Sequence, residues 1–547
     1  MAVTDFPYET FGQSNGQPAK DESSPGTRSI RDRMVPPMRG SVLWGWLGPL
    51  LVTVFGGVLR FMGLGHPNAV VFDETYYAKD GYSLITWLVE RVTIKDADKA
   101  LIAGNTDIWQ KCTEATLDKC ASYVVHPPLG KWMIGAGEWL FGMNPYGWRF
   151  AAAVAGTLSI LILARVARRM TRSTLLGCFA GLLLALDGLH FVLSRTALLD
   201  IFLMFWVLAG FACLVVDRDR TRERLIDWYE TSPLSPQGPW LGLRPWRIAA
   251  GLCLGAAMAV KWSGLFFAVA FAVMSLLWDF GARRAAGLRQ PYAGAFSKDV
   301  PTGLVAFALV PFVTYMATWT GWFVTATGYG RNWDQATSSG PIYFVFDSMR
   351  SWVQYQWQVF SFHNGLETSH PYMSDPWQWP LLLRPVAFYY EGKQAACGAK
   401  DCSEAVLGVG TPVIWFGALA ALIGLIAWYV ATRDWRAGAV LLAYAMGWVP
   451  WFYFAIAQNR TMFLFYAVPM VPFMVLAITL CAGLLIGPSA KTAGGAVPLW
   501  RTLGAAAVGA FALLALINFW WLHPVLSAEL IPYTEWKARM LFDKRWI

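Results

Sequence analysis

Charged side chains are scarce in this chain: Asp, Glu, Lys and Arg supply 14% of its 547 residues, against 56% that are hydrophobic. That balance, with a mean hydropathy of +0.41, excludes an ordinary soluble multidomain protein, in which about 25% of residues are charged. Most of the length belongs in lipid. No GxxxxGK loop is present, which leaves ATP-driven transport without support. No Cys and His spacing suits zinc, and no internal repeat marks a solenoid. No cleavable signal peptide opens the chain either. The first apolar run begins near Val42 at spanning length and is expected to stay as the first membrane helix.

Apolar stretches such as 42–61, 201–216, 302–322 and 503–521 approach or reach the roughly 20 residues of one helical crossing. The net charge of +9 reads as orientation and not as a nucleic-acid partner, because Lys and Arg fall mainly in short connections between apolar runs. With the basic loops 165–172, 217–247, 281–298, 433–436 and 491–501 inside, the fold expected is an all-α integral membrane protein. It has about eleven spans, a cytoplasmic N-terminus and an outside C-terminus. The run 248–278 is too long for one crossing and is split at Lys261–Gly264, since a mid-bilayer Lys261 would be costly.

Residues 1–40, polar and ending in Arg28, Arg31, Arg33 and Arg39, read as a disordered cytoplasmic tail. Residues 41–324 form an N-terminal membrane core, 325–410 an outside segment, and 411–547 the C-terminal helices and outside tail. Two outside segments, 63–146 and 325–410, are too long to be connectors. Each holds a close cysteine pair, Cys112 with Cys120 and Cys397 with Cys402, as candidate disulfides or free thiols. Cys178, Cys213, Cys253 and Cys481 lie in apolar runs as small packing residues.

The first of these segments carries the chemistry. Within residues 71–80, Asp73 and Glu74 are adjacent acids in an aromatic setting, expensive near lipid unless used or paired. On a helix, Phe72, Tyr76 and Leu84 share one face while Asp73, Tyr77 and Asp80 share another; the plainer alternative is a helix N-terminus that favours acids. Downstream, His126-Pro127-Pro128-Leu129-Gly130-Lys131 places two prolines ahead of a helix. Arg149, Arg195, Lys261 and Arg460 add cations on the same side. Snorkelling is the alternative for Lys131 and Arg149, pairing with Asp200 or Asp187 for Arg195, and capping or packing for His126. Together the groups suit a site that binds a lipid-linked phosphate and activates a hydroxyl. An anionic leaving group needs fixed positive charge, and an acceptor alcohol needs a base. In the second segment, 351–362 reads as an interfacial helix with Trp352, Tyr355, Trp357 and Phe360, whose rings could instead stack on sugar or clasp a peptide, followed by His363, Asn364, Glu367 and His370.

At these residues the chain resembles the protein O-mannosyltransferases, multi-span glycosyltransferases of the GT-C type. The resemblance rests on Phe72-Asp73-Glu74, His126 to Lys131, Ser194-Arg195 with Leu198-Leu199-Asp200, Lys261 to Phe266, and His370-Pro371-Tyr372 running to Trp377-Gln378-Trp379-Pro380. It implies inverting transfer of mannose from polyprenyl-phosphate mannose to Ser or Thr hydroxyls of secreted proteins, with Asp73 as general base and Glu74 placing acceptor or sugar. Arg149, Arg195, Lys261, Arg460, His126, Lys131 and His370 become candidate contacts for the donor phosphate or sugar. No metal is required by that mechanism, though a divalent ion is left open, as is delivery of acceptors by the secretion machinery. Two departures stand out. Segment 325–410 is far too short for the β-trefoil insertion of eukaryotic members, and Val124 stands where many members carry an acid. The compact loops resemble bacterial, actinobacterial members, which implies a plasma-membrane enzyme working on the extracytoplasmic face. The competing readings are a GT-C enzyme with a lipid or cell-wall glycan acceptor and a transporter of lipid-phosphate sugars.

Overall fold

The computed structural model describes residues 30–38, 40–113, 119–231, 235–333, 341–488, 497–542 and 546. Residues 1–29 of the expected tail and 491–496 of an expected inner loop lie outside that set. The chain begins with α1 (Val42–Phe61), α2 (Glu74–Trp87), α3 (Leu129–Phe141), α4 (Pro145–Thr171) and α5 (Thr174–Ala185). There follow α6 (Leu199–Thr231), α7 (Pro245–Val260), α8 (Gly264–Ala285), α9 (Val300–Thr318) and α10 (Pro341–Asn364). Strands β1 (Val386–Gln394) and β2 (Asp401–Gly408) precede α11 (Pro412–Thr432), α12 (Trp435–Ile456), α13 (Leu464–Ile486) and α14 (Leu499–Leu526), and β3 (Ile531–Pro532) closes the series.

Among the described residues nine helices are long and apolar enough to cross a membrane: α1, α4, α6, α8, α9 and α11 to α14. The shorter apolar helices α5 and α7 stand beside them. Helix α13 is apolar on all sides and mostly buried at the centre of the bundle, whereas α14 presents most of its surface outward. Local chemistry sets the ends. Ser41 and Asn144 cap α1 and α4 by accepting the Trp44 and Gly147 N–H groups. The break between α7 and α8 falls at Lys261, whose backbone is extended. Gly264 lets the chain turn back there, since a Cβ would lie 2.7 Å from the Ala257 backbone.

Between helices that share an apolar solvent, close packing does the work that hydrophobic burial does in water. Helices α2 and α3 show it: a Cβ on Gly135 would sit 2.4 Å from the Gly81 carbonyl oxygen. On the opposite side of the molecule, buried ion pairs join α6 to α9. Arg244 pairs with Asp217 and Asp279, and Arg283 with Asp299. All fall in or beside the loops that the basic pattern assigns to the cytoplasm.

Two features depart from the sequence reading. The tail does not stay structureless to residue 40, because Ile30–Met34 forms a helical turn that Arg31 fastens to Asp227 and Glu230 of α6. The second outside segment holds more than a helix: α10 extends well beyond 351–362, and the hairpin of β1 and β2 joins β3 of the C-terminal tail in a three-stranded antiparallel sheet within an otherwise helical fold. Cys397 and Cys402 are bonded near the hairpin turn, and Cys112 is bonded to Cys120 in the first outside segment.

Candidate active site

Asp73 is the first residue of the α2 turn, and the residue before it is under constraint. Phe72 has φ +49°, in the left-handed region that costs a bulky side chain about 1–2 kcal/mol. Its ring is held by Phe388 at 5.0 Å between centroids, Phe465 at 5.7 Å, Phe463 at 5.9 Å and His370 at 6.1 Å. That packing sustains the turn and sets the direction of Asp73. The Asp73 carboxylate does not cap the helix, and no hydrogen bond to it occurs among the described residues. Burial pushes it up to about 6, against the pull of Lys261, with the Asp200 charge adding to the rise.

Glu74, one residue on, has the opposite environment. It is fully buried; Oε1 accepts from Arg149 Nε at 2.8 Å and the Ala197 N–H at 3.0 Å, and Oε2 from Arg149 Nη2 and the Val71 N–H, both at 2.9 Å. The remaining Arg149 N–H groups donate to the carbonyls of Leu64, Pro67 and Ala69. This pair clamps the loop before α2 to α4 and to the turn ahead of α6. In place of the acceptor or phosphate contacts expected of them, Glu74 and Arg149 have structural partners for all the bonds just described.

Two other expected phosphate ligands are engaged elsewhere. Arg195 donates to the carbonyls of Leu59, Arg60, Met62 and Gly63, satisfying the exposed end of α1, and pairs with neither Asp200 nor Asp187. Lys131 is buried against Glu90, with Asp80 at 3.8 Å. His370 does not line the cavity described next; its Nδ1 accepts the Tyr372 N–H at 3.1 Å and its ring steers Phe72 and Phe463.

Of the expected groups, His126, Lys261 and Arg460 converge on a cavity of about 940 Å³, and Asp73 is not among the residues that line it. Its head carries His126, Asp200, Lys261, Gln356, His363 and Arg460, and its lower wall is apolar, with Phe266, Val269, Val273 and Phe312 from α8 and α9. From Leu265 to Val273 the wall descends about 12 Å into the bundle at the helical rise of 1.5 Å per residue. The charges at the head are unequal. Lys261 Nζ bonds Asp200 at 2.8 Å and lies over the Tyr466 ring, so it arrives partly neutralised. Arg460 has no carboxylate within ion-pair distance among the described residues; it donates to His363 Nδ1 at 3.1 Å and rests over Phe454. Burial and the nearby cations hold the His126 imidazole well below its ordinary pKa, and the ring faces His363 at 5.2 Å between centroids.

One hydrogen-bonded chain runs from Trp262 to Gln356. Trp262 Nε1 can only donate, so it gives its proton to the Tyr315 hydroxyl at 3.0 Å, and that hydroxyl donates to Gln356 Oε1 at 2.9 Å. Gln356 Nε2 is then left as a buried donor without a protein partner on the cavity wall. Asp200, Gln356 and Tyr466 were not among the expected ligands. The Lys261–Asp200 bond joins residues 61 apart on different helices, a pairing that no local spacing signals. His363 was visible only as one polar residue at the end of an aromatic helix. Among the described residues, no cluster of three His, Cys, Asp or Glu side chains could hold a metal ion.

This architecture matches a protein O-mannosyltransferase complex of Saccharomyces cerevisiae solved with its sugar donor, at a TM-score of 0.67 and 14% identity over 94% of this chain and 95% of that one. The likeness establishes the fold, the multi-span GT-C fold of membrane glycosyltransferases. A family model described as dolichyl-phosphate-mannose-protein mannosyltransferase matches residues 50–326, and one for the C-terminal four-span region of protein O-mannosyltransferase matches 348–546. Curated relatives called polyprenol-phosphate-mannose–protein mannosyltransferase include one from Mycolicibacterium smegmatis, 39% identical over 91% of this chain and 92% of that protein. Others are from Mycobacterium tuberculosis, 38% identical over 91% of each chain, and Corynebacterium glutamicum, 31% identical over 90% of this chain and 92% of that protein. The chain belongs to the polyprenol-phosphate-mannose–protein mannosyltransferase family.

Proposed function

We infer that the enzyme transfers mannose from polyprenyl-phosphate mannose to Ser or Thr hydroxyls of secreted polypeptides, with inversion, on the extracytoplasmic face of the plasma membrane. One juxtaposition carries this reading. An unbonded carboxylate, Asp73, feels the charges of the Lys261–Asp200 pair, and that pair heads a cavity with an uncompensated guanidinium beside it and an apolar wall below. A lipid phosphate is such a ligand, charged at one end and apolar along the other.

In the proposed reaction Asp73 accepts the proton of the acceptor hydroxyl as its oxygen bonds to the anomeric carbon. The bond from that carbon to the phosphate oxygen breaks on the opposite face, and the lipid phosphate leaves with the electron pair. Arg460, with Lys261 behind it, offsets the charge that gathers on the leaving oxygen. Fixed cations fill the role that a divalent ion would play, so the reaction as written needs no metal. Glu74 and Arg149 hold the turn that aims Asp73. The protein acceptor in the relatives' names favours this reading over a lipid or cell-wall glycan acceptor. Secretion machinery would present such acceptors unfolded on this face.

The test is transfer from labelled polyprenyl-phosphate mannose to a Ser/Thr- and Pro-rich peptide by purified enzyme and Asp73→Asn, with the anomeric configuration of donor and product read by NMR. Transfer by the wild type alone, with inverted configuration, is expected. Retention would rule out a single displacement, and equal transfer by Asp73→Asn would move the base elsewhere.

A further inference from the structure

The last turn of α10 makes two hydrogen bonds through one imidazole. His363 Nε2 lies 2.9 Å from the Val125 carbonyl oxygen, and Nδ1 lies 3.1 Å from Arg460 Nη2. A carbonyl only accepts and a guanidinium only donates, so the proton sits on Nε2 and Nδ1 offers a lone pair to Arg460. The neutral ring this requires is the one the surroundings favour, because burial beside Arg460 and Lys261 pushes the His363 pKa down to about 4.

Two turns earlier on the same face of α10, the Tyr355 hydroxyl accepts from the Val124 N–H at 3.2 Å and donates to the Val124 carbonyl at 3.0 Å. Helix α10 thus grips the backbone of 124–125 at two points, and that segment delivers His126 to the cavity head, where its ring faces His363. On the other side, no carboxylate among the described residues fixes the direction of Arg460. Beyond His363, the contact that orients its side chain is the Phe454 ring at 5.7 Å, and its buried Nε has no partner.

We propose that His363 is a positioning residue for the donor: its Nδ1 aims the Arg460 guanidinium into the cavity while its Nε2–H ties that arginine to the segment carrying His126. The residue touches no reacting atom and acts through Arg460, so the proposal rests on the reading of Arg460 as a contact for the lipid phosphate. Asn and Gln separate its two bonds. Asn places a carbonyl near the position of Nδ1 and keeps an acceptor for Arg460; Gln reaches the position of Nε2 and keeps the tie to Val125.

The experiment measures KM for polyprenyl-phosphate mannose and kcat for Arg460→Gln, His363→Asn, His363→Gln and the double variant His363→Gln/Arg460→Gln, with thermal melting of each in detergent. Arg460→Gln is expected to raise KM about tenfold or more, a loss of about 1.4 kcal/mol or more of binding. His363→Gln should raise KM by a similar factor and lower kcat as Arg460→Gln does, and His363→Asn should restore both to within about threefold of wild type. The double variant should be no worse than Arg460→Gln, since both changes remove one interaction. If Arg460→Gln leaves KM unchanged, the phosphate is held elsewhere and both the reading of Arg460 and this proposal fall. If Arg460→Gln raises KM but the Asn and Gln variants of His363 are equally impaired, or the double variant multiplies the two effects, the Arg460 reading stands and His363 is only structural.

Discussion

Asp73 and Glu74 share one turn, yet the contacts around them assign opposite duties. Four donors satisfy Glu74, whereas Asp73 is half-buried with no donor bonded to it among the described residues. Substitution to the amide should therefore abolish transfer at both positions while moving stability in opposite directions. Glu74→Gln leaves Arg149 as a buried charge without its counterion, a loss of about 3–5 kcal/mol, and its melting temperature in detergent should fall. For Asp73 the folded pKa of about 6 lies above the unfolded value near 3.8. The native state then binds more protons than the unfolded state between those values, and stability drops as pH rises through that window. Asp73→Asn removes the charge responsible, so above pH 6 its melting temperature should exceed that of wild type while kcat falls by more than about 100-fold. In the wild type the same group sets the acid limb of the rate profile, with kcat/KM falling as pH drops through about 6. Chelation with EDTA should leave the rate unchanged if Arg460 and Lys261 neutralise the leaving phosphate, and a loss restored by a divalent ion would show that they do not suffice. The adjacent acids and the list of outer cations were legible in the sequence. The division of labour was not, because Arg149 and Arg195 owe their roles to backbone carbonyls of distant loops, which leave no mark in side-chain spacing.

The elements that could be read were those whose signal is local. Apolar length marked the spans, and the cost of an interior Lys261 located the break between α7 and α8. The hairpin of β1 and β2 was missed because its first strand alternates poorly, with buried Val386 to Phe388 giving way to an exposed end. The contact between α2 and α3 was also silent, although it places the Asp73 turn beside His126. Gly81 and Gly135 meet there backbone to backbone, and the ring of Tyr77 on α2 lies 6.1 Å from that of His126. Gly135→Val should force the helices apart by more than a side-chain rotation can relieve, because the Gly81 carbonyl and the Ile85 side chain both lie in the way. A fall in kcat of at least about tenfold is expected from misplacement of the base alone. Gly281→Ala, with open space around the added methyl, provides the control that should change neither rate nor melting temperature.

At the scale of the whole molecule, charge is sorted by side. The base candidate and the cavity head belong to segments between α1 and α4 and around α10, which the loop-charge pattern assigns outside. Buried pairs such as Arg244–Asp217 and Arg283–Asp299 gather at the end assigned to the cytoplasm. Such pairs need one another as much as they need a side, since either partner alone would be an uncompensated buried charge. They fix the inner ends of α6 to α9 and thereby the wall along which the lipid chain would lie. The orientation can be read from two exposed positions, Lys95 between α2 and α3 and Ala285 at the end of α8. In a chain whose free cysteines Cys178, Cys213, Cys253 and Cys481 are replaced, Lys95→Cys should react with a membrane-impermeant maleimide in intact cells. Ala285→Cys should react only after the membrane is opened. The reverse pattern would put the cavity head on the cytoplasmic face, where secreted polypeptides are not met after translocation, and would overturn the proposed acceptor together with the topology. Labelling of both positions in intact cells would mean that the two segments lie on one side, a result incompatible with α8 as a complete crossing and with the path for the lipid chain beside it.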